Sequence, residues 1–135
     1  MKIALTFAAA ACALLMATPG QTQPKPEKHE CFLRRDIQNH SVGDDHTLYF
    51  AVSGHGVYRA VMSNACMAGE TSSDTLVMRD RTSSGRVCSK LDLEIRTSRG
   101  TGCIVDHYEL MTPAEVAALP RRMRPLGLCS TAARL

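Results

Sequence analysis

His46-Thr47-Leu48-Tyr49-Phe50-Ala51-Val52, Ser53-Gly54-His55-Gly56 and Val57-Tyr58-Arg59-Ala60-Val61-Met62 form the stretch on which the fold turns. Its first seven residues are rich in β-branched and aromatic side chains, and an extended chain puts Leu48, Phe50 and Val52 on one face. Glycines on either side of His55 supply the freedom a reversal needs, and Val57 to Met62 returns as a second strand. The pattern predicts a β-hairpin with His55 at an exposed tip.

Working outward, structure is expected to begin at Cys31-Phe32-Leu33. On the other side come three turn-like tetrads, Thr71-Ser72-Ser73-Asp74, Thr82-Ser83-Ser84-Gly85 and Thr97-Ser98-Arg99-Gly100. Leu76-Val77-Met78 and Val87 to Ile95 lie between them. Leu91-Asp92-Leu93-Glu94-Ile95 alternates as a half-buried strand does. Cys103 to Leu110 reads as the last strand. Thr112-Pro113-Ala114-Glu115 then announces a helix: threonine to cap, proline at the first helical position, glutamate three residues on. Pro120 ends it. The expected fold is mainly β (α+β), an antiparallel meander of five or six strands with one short C-terminal helix, stapled by disulfides. The expected organisation is a single β-rich domain over residues 31–119 and a basic tail over 120–135.

At the N-terminus, Lys2 precedes an apolar run, and 15 of the first 17 residues are apolar. Small residues follow at Ala17-Thr18-Pro19-Gly20. A basic start, a membrane-partitioning stretch and a small-residue exit are the anatomy of a secretory signal peptide, here residues 1–20, cleaved on export. Residues 21–30, rich in proline and polar side chains, read as a disordered leader. Ala9-Ala10-Ala11-Cys12 loosely resembles a lipobox, so an envelope lipoprotein carrying lipid on Cys12 is the alternative to a periplasmic or secreted protein.

The 135-residue length holds one domain and excludes a TIM barrel or an ordinary Rossmann enzyme. Loss of Lys2 with the signal lowers the net charge from +3 to +2, too little to argue for nucleic acid. With five aromatics beyond the signal and no tryptophan, a stacking platform for bases or sugars is not indicated.

Beyond the signal stand Cys31, Cys66, Cys88, Cys103 and Cys129. In an oxidising compartment these predict two bridges among the first four, with Cys129 a spare thiol beside Arg121, Arg122 and Arg124. The three pairings that four cysteines allow stay open. A tight hairpin about residues 98–99 would set Cys103 opposite Glu94 and Cys88 opposite Glu109, so that a Cys88–Cys103 bridge needs an irregular loop.

Cys31, the acidic turn Asp44-Asp45, Tyr58 leading to Cys66, Gly85-Arg86-Val87-Cys88 with Leu91-Asp92, Cys103-Ile104-Val105 and the Thr-Pro-Ala-Glu helix together resemble one family. It is a group of small exported Gram-negative proteins known only as a domain of unknown function, and the resemblance covers residues 31–119. It implies an envelope location and supplies no catalytic residue. Ser53-Gly54-His55-Gly56-Val57-Tyr58 also resembles the Ser-Gly-x-x-Tyr hairpin of periplasmic lysozyme inhibitors, with Tyr58 one residue late and so on the opposite face of the strand.

His40, Asp45 and His46, with Asp44 beside them, are the local cluster whose imidazoles and carboxylates suit zinc or manganese; an acidic turn bonding its own backbone is the simpler account. A cysteine nucleophile with His55 or His107 as base is the other route to chemistry. No nucleophile elbow and no phosphate-cradling glycine motif occurs. Arg121-Arg122-Met123-Arg124 offers cationic contact with anionic lipid. The expectation is a non-enzymatic binding or structural module without a cofactor, partnered by an envelope component or protein. Membrane contact is expected only through Cys12 lipid or the basic tail. A small metal-dependent or Cys/His hydrolase and a lysozyme inhibitor are the alternatives.

Overall fold

The computed structural model describes residues 31–126. The segments expected to be a signal peptide and leader, together with Cys12 and Cys129, lie outside the described residues. The hairpin is present as β3 (Thr47–Val52) and β4 (Gly56–Met62), paired from Thr47↔Val61 to Val52↔Gly56. The turn holds because Gly54 and Gly56 take φ of +77° and +115°, in the region side-chain-bearing residues avoid. Both faces of β3 are covered rather than one. Leu48, Phe50 and Val52 enter the main core, while Tyr49 packs with Val57 and Met111 on the reverse face.

Seven further strands flank the hairpin: β1 (Phe32–Leu33), β2 (Ile37–Asp44), β5 (Val77–Asp80), β6 (Arg86–Val87), β7 (Leu93–Arg96), β8 (Gly102–Cys103) and β9 (Val105–Leu110). They form three antiparallel sheets of order β1-β6, β2-β3-β4-β9 and β5-β7-β8. Over the described residues the chain is mainly β, antiparallel and disulfide-stapled, with one short α-helix, α1 (Pro113–Ala118), as the sequence predicts. Only β2-β3-β4 runs as a meander; β9 reaches β4 from across the molecule.

Three elements depart from the sequence reading. The alternation read over Leu91 to Ile95 holds only from Leu93, Leu91 being exposed in a turn before β7. β2, Ile-Gln-Asn-His-Ser-Val-Gly-Asp, is an eight-residue strand with no strand-forming signal of its own. It is an edge strand, interrupted by two irregularities in its pairing with β3, and it exists because β3 offers it a ladder. The stretch read as one strand from Cys103 to Leu110 is broken at Ile104, where the chain leaves one sheet for another. Asn64 stabilises that break: its Nδ2 donates to the Gly102 carbonyl at 3.0 Å and its Oδ1 accepts from the Ile104 amide at 2.8 Å.

The main core draws on all three sheets. Phe32 lies 4.9 Å from Tyr58 and 5.7 Å from Phe50 between ring centroids, Phe50 stacks on Tyr58, and Tyr108 meets Phe50 edge-on. Val87, Leu93 and Ile95 close it from the two smaller sheets. On the reverse face, Val116, Leu119 and Met123 cover Tyr49, Val57 and Met111. The capping box of α1 is formed: Glu115 donates its amide to Thr112 Oγ1, and Glu115 Oε2 accepts from the Thr112 amide at 2.7 Å.

The start of the expected basic tail is part of this layer. Arg121–Met123 make a turn of 3₁₀ helix, and the Met123 carbonyl accepts from Ser41 Oγ on β2. Farther on, the Leu126 carbonyl accepts from Asn39 Nδ2 at 2.6 Å. Arg124 folds back onto the C-terminal carbonyls of α1, donating to Leu119 at 2.8 Å and to Ala117, where a helix leaves its carbonyls unpaired.

Candidate functional site

The cysteines pair as Cys31–Cys88 and Cys66–Cys103. Phe32 lies opposite Val87 in the β1–β6 ladder, so one step outward brings Cys31 and Cys88 together. The second bridge joins the loop after β4 to the end of β8. Cys103 faces Ile95, not Glu94, and Glu109 faces Arg59 rather than Cys88. The register differs by one residue because the loop is longer than a two-residue turn. Thr97 donates its amide to the Thr101 carbonyl, and Gly100 at φ +82° closes the reversal. With all four described cysteines bridged, none of them is a thiol, which removes them as nucleophiles for His55 or His107.

The polar groups of the histidine–carboxylate cluster are engaged with backbone atoms. His40 Nε2 lies 3.0 Å from the Asp74 carbonyl oxygen. Asp44 accepts from the His46 amide at 2.8 Å, a side-chain-to-backbone turn, and Asp45 and His46 use their carbonyls on Met67 and Met62. No group of three or more metal-ligating side chains occurs among the described residues. At the hairpin, Tyr58 points into the core between Phe32 and Phe50, and Val57 takes the reverse face.

What the fold does assemble is a groove of about 530 Å³ on the outer face of the β5-β7-β8 sheet, lined by Thr75, Val77, Arg79, Arg96, Thr97, Ser98 and Gly100. The register pairs Val77 with Arg96 and Arg79 with Glu94, while Met78 and Ile95 between them point to the core. Val77, Arg79, Glu94 and Arg96 therefore share one outward face. Arg96 Nε donates to Glu94 Oε1 at 2.5 Å. That hydrogen bond, followed by the charges of Arg96, Arg81 and Arg79, holds the Glu94 carboxyl below its ordinary value. One carboxylate thus stands among three guanidinium groups.

The rim of the groove is anchored from below. Glu70 is a buried acid, its side chain 2% exposed; it accepts from Ser98 Oγ at 3.2 Å and lies 3.6 Å from Arg99 Nε. Arg99 Nη2 also donates to the Gly69 carbonyl at 3.1 Å. In the sequence Thr97-Ser98-Arg99-Gly100 reads as turn composition alone, and nothing within that tetrad marks the groove. The available signal was Val77-x-Arg79-x-Arg81, whose alternation puts two arginines on one strand face; the partner strand was not identifiable from sequence.

No family model, curated protein or solved structure matches this chain. The two disulfides mark an oxidising, extracytoplasmic setting. No helix among the described residues is long and apolar enough to cross a membrane.

Proposed function

We propose that this protein is a non-enzymatic binding or structural module of the bacterial envelope, exported to the periplasm or beyond. The observation that carries the reading is the pair of bridges closing spans of 57 and 37 residues around one shared core. A domain of fewer than 100 described residues in three small sheets gains much of its stability from such staples. The signal-like N-terminus supports the same reading, as does the resemblance of the cysteine spacing to exported Gram-negative proteins of unknown function.

The test is intact mass on protein recovered from the periplasm, with thiols alkylated before and after reduction. A start between residues 18 and 24, four protected cysteines and one alkylated Cys129 are expected. Five free thiols, or recovery only from the cytoplasm, would refute the reading. A lipid-bearing Cys12 would convert it to an envelope lipoprotein.

A further inference from the structure

The outer face of β5 and β7 carries more positive charge than its one carboxylate, Glu94, balances. The Arg79 guanidinium makes no hydrogen bond among the described residues, and its neighbour across the ladder is the Glu94 carboxylate. Arg96 offers Nε to Glu94, which leaves its two terminal amino groups for a ligand. Across the ladder these two arginines are diagonal neighbours, since Arg96 faces Val77 and Arg79 sits two residues farther along. Such positions lie about 7–8 Å apart at the backbone, within reach of long side chains closing on one group. Arg81 adds a third cation beside the same carboxylate.

A guanidinium presents forked donors matched to the oxygens of phosphate, and with Glu94 balancing one charge Arg79, Arg81 and Arg96 leave this sheet face net positive. Thr75 and Ser98 bring hydroxyl-bearing side chains to the groove, the Ser98 hydroxyl donating to Glu70 and so left to accept, and Val77 gives it an apolar patch. No aromatic ring lines it, so nothing there stacks on a base. Its volume of about 530 Å³ is of small-ligand size.

We propose that the groove binds the phosphate ester of a polyhydroxylated molecule, with the phosphate between Arg79 and Arg96 and the ligand's hydroxyls against Thr75 and Ser98. This names a ligand for the binding role proposed above and rests on that role. The same chemistry has two sources, a free sugar phosphate or a phosphoglycerol lipid headgroup.

The experiment is calorimetric titration of the folded, doubly bridged protein at low ionic strength, with glucose 6-phosphate, sn-glycerol 3-phosphate and glucose as probes. Co-sedimentation with phosphatidylglycerol vesicles, against phosphatidylcholine vesicles, is the second arm. Saturable binding of a phosphate ester, weakened at least tenfold in both Arg79→Met and Arg96→Met and absent for glucose, is expected. Preference for phosphatidylglycerol vesicles, lost in the same variants, would assign the source to a headgroup and preference for the soluble esters to a free metabolite. Equal binding by the variants, equal binding of glucose, or no binding by any probe overturns the proposal. Both arginines are exposed, so circular dichroism is expected to show the variants folded. Because the sample is already shown to be bridged, failure here leaves the compartment reading intact, while free thiols would strike that reading alone.

Discussion

Glu70 and Arg99 join the loop after β4 to the β7–β8 hairpin through a buried carboxylate and a guanidinium that remains largely in solvent, 3.6 Å apart. Arg99 also reaches the Gly69 carbonyl, and Gly69 at φ +76° lies so close beneath it that a Cβ there would stand 3.2 Å from Arg99 Nη1. The Cys66–Cys103 bridge ties the same two segments covalently. The contact matters for the groove because Thr97 and Ser98 form part of its wall.

Removing the arginine leaves a buried acid with one hydroxyl donor, whereas removing the charge leaves a group that can still accept from Ser98. Arg99→Ala is therefore expected to cost about 1–3 kcal/mol in urea unfolding, and Glu70→Gln distinctly less. Equal losses would show that Arg99 contributes packing rather than compensation of the buried charge.

Each disulfide limits the unfolded chain over a long span, 57 residues for Cys31–Cys88 and 37 for Cys66–Cys103. By the loop-closure argument, replacing either pair with alanine is expected to lower unfolding free energy by about 3–4 kcal/mol. Denaturant unfolding of each double variant checks this. Loss of Cys66–Cys103 is expected to loosen β8 and the groove rim first, seen as faster amide exchange at Arg96 and Thr97.

Tyr108 Oη is buried and has no hydrogen-bond partner among the described residues, and burial first, then the charge of Asp92, pushes its pKa well above the ordinary tyrosine value. A hydroxyl stripped of water without a replacement partner costs stability. Tyr108→Phe keeps the edge-on contact with Phe50 and is expected to be neutral or stabilising by up to about 1 kcal/mol in thermal unfolding. A marked loss of stability would show that the hydroxyl has a partner.

Asp92 accepts the amides of Cys88 and Ser89 at 2.9 and 2.8 Å, and those bonds hold its carboxyl below the ordinary value. Asp74 is lowered in the same direction by its bonds to Thr71. A carboxyl with a depressed folded-state pKa adds stability above its unfolded value, about 3.9, and that stability is lost as pH falls through the folded value. The melting temperature is thus expected to be level from neutral pH down to about 5 and to drop below about 4. Asp92→Asn is expected to flatten that drop, measured by thermal scans from pH 7 to 2.5.

The hairpin, the capping box and the cysteines available for bridging were legible in the amino-acid sequence because each depends on residues near one another. Alternation set Leu48, Phe50 and Val52 on one face, glycines permitted the turn, and Thr112 found its partner at Glu115. The pairing of Cys31 with Cys88, the docking of β9 against β4 and the existence of β2 depended on contacts between distant segments. β2 is polar enough to read as loop, and only an open ladder edge on β3 makes it a strand. The groove belongs to this second group: Arg79 and Arg96 share a face because the buried side chains of β5 and β7 settle which residues stand opposite, and that choice is made by the core beneath them.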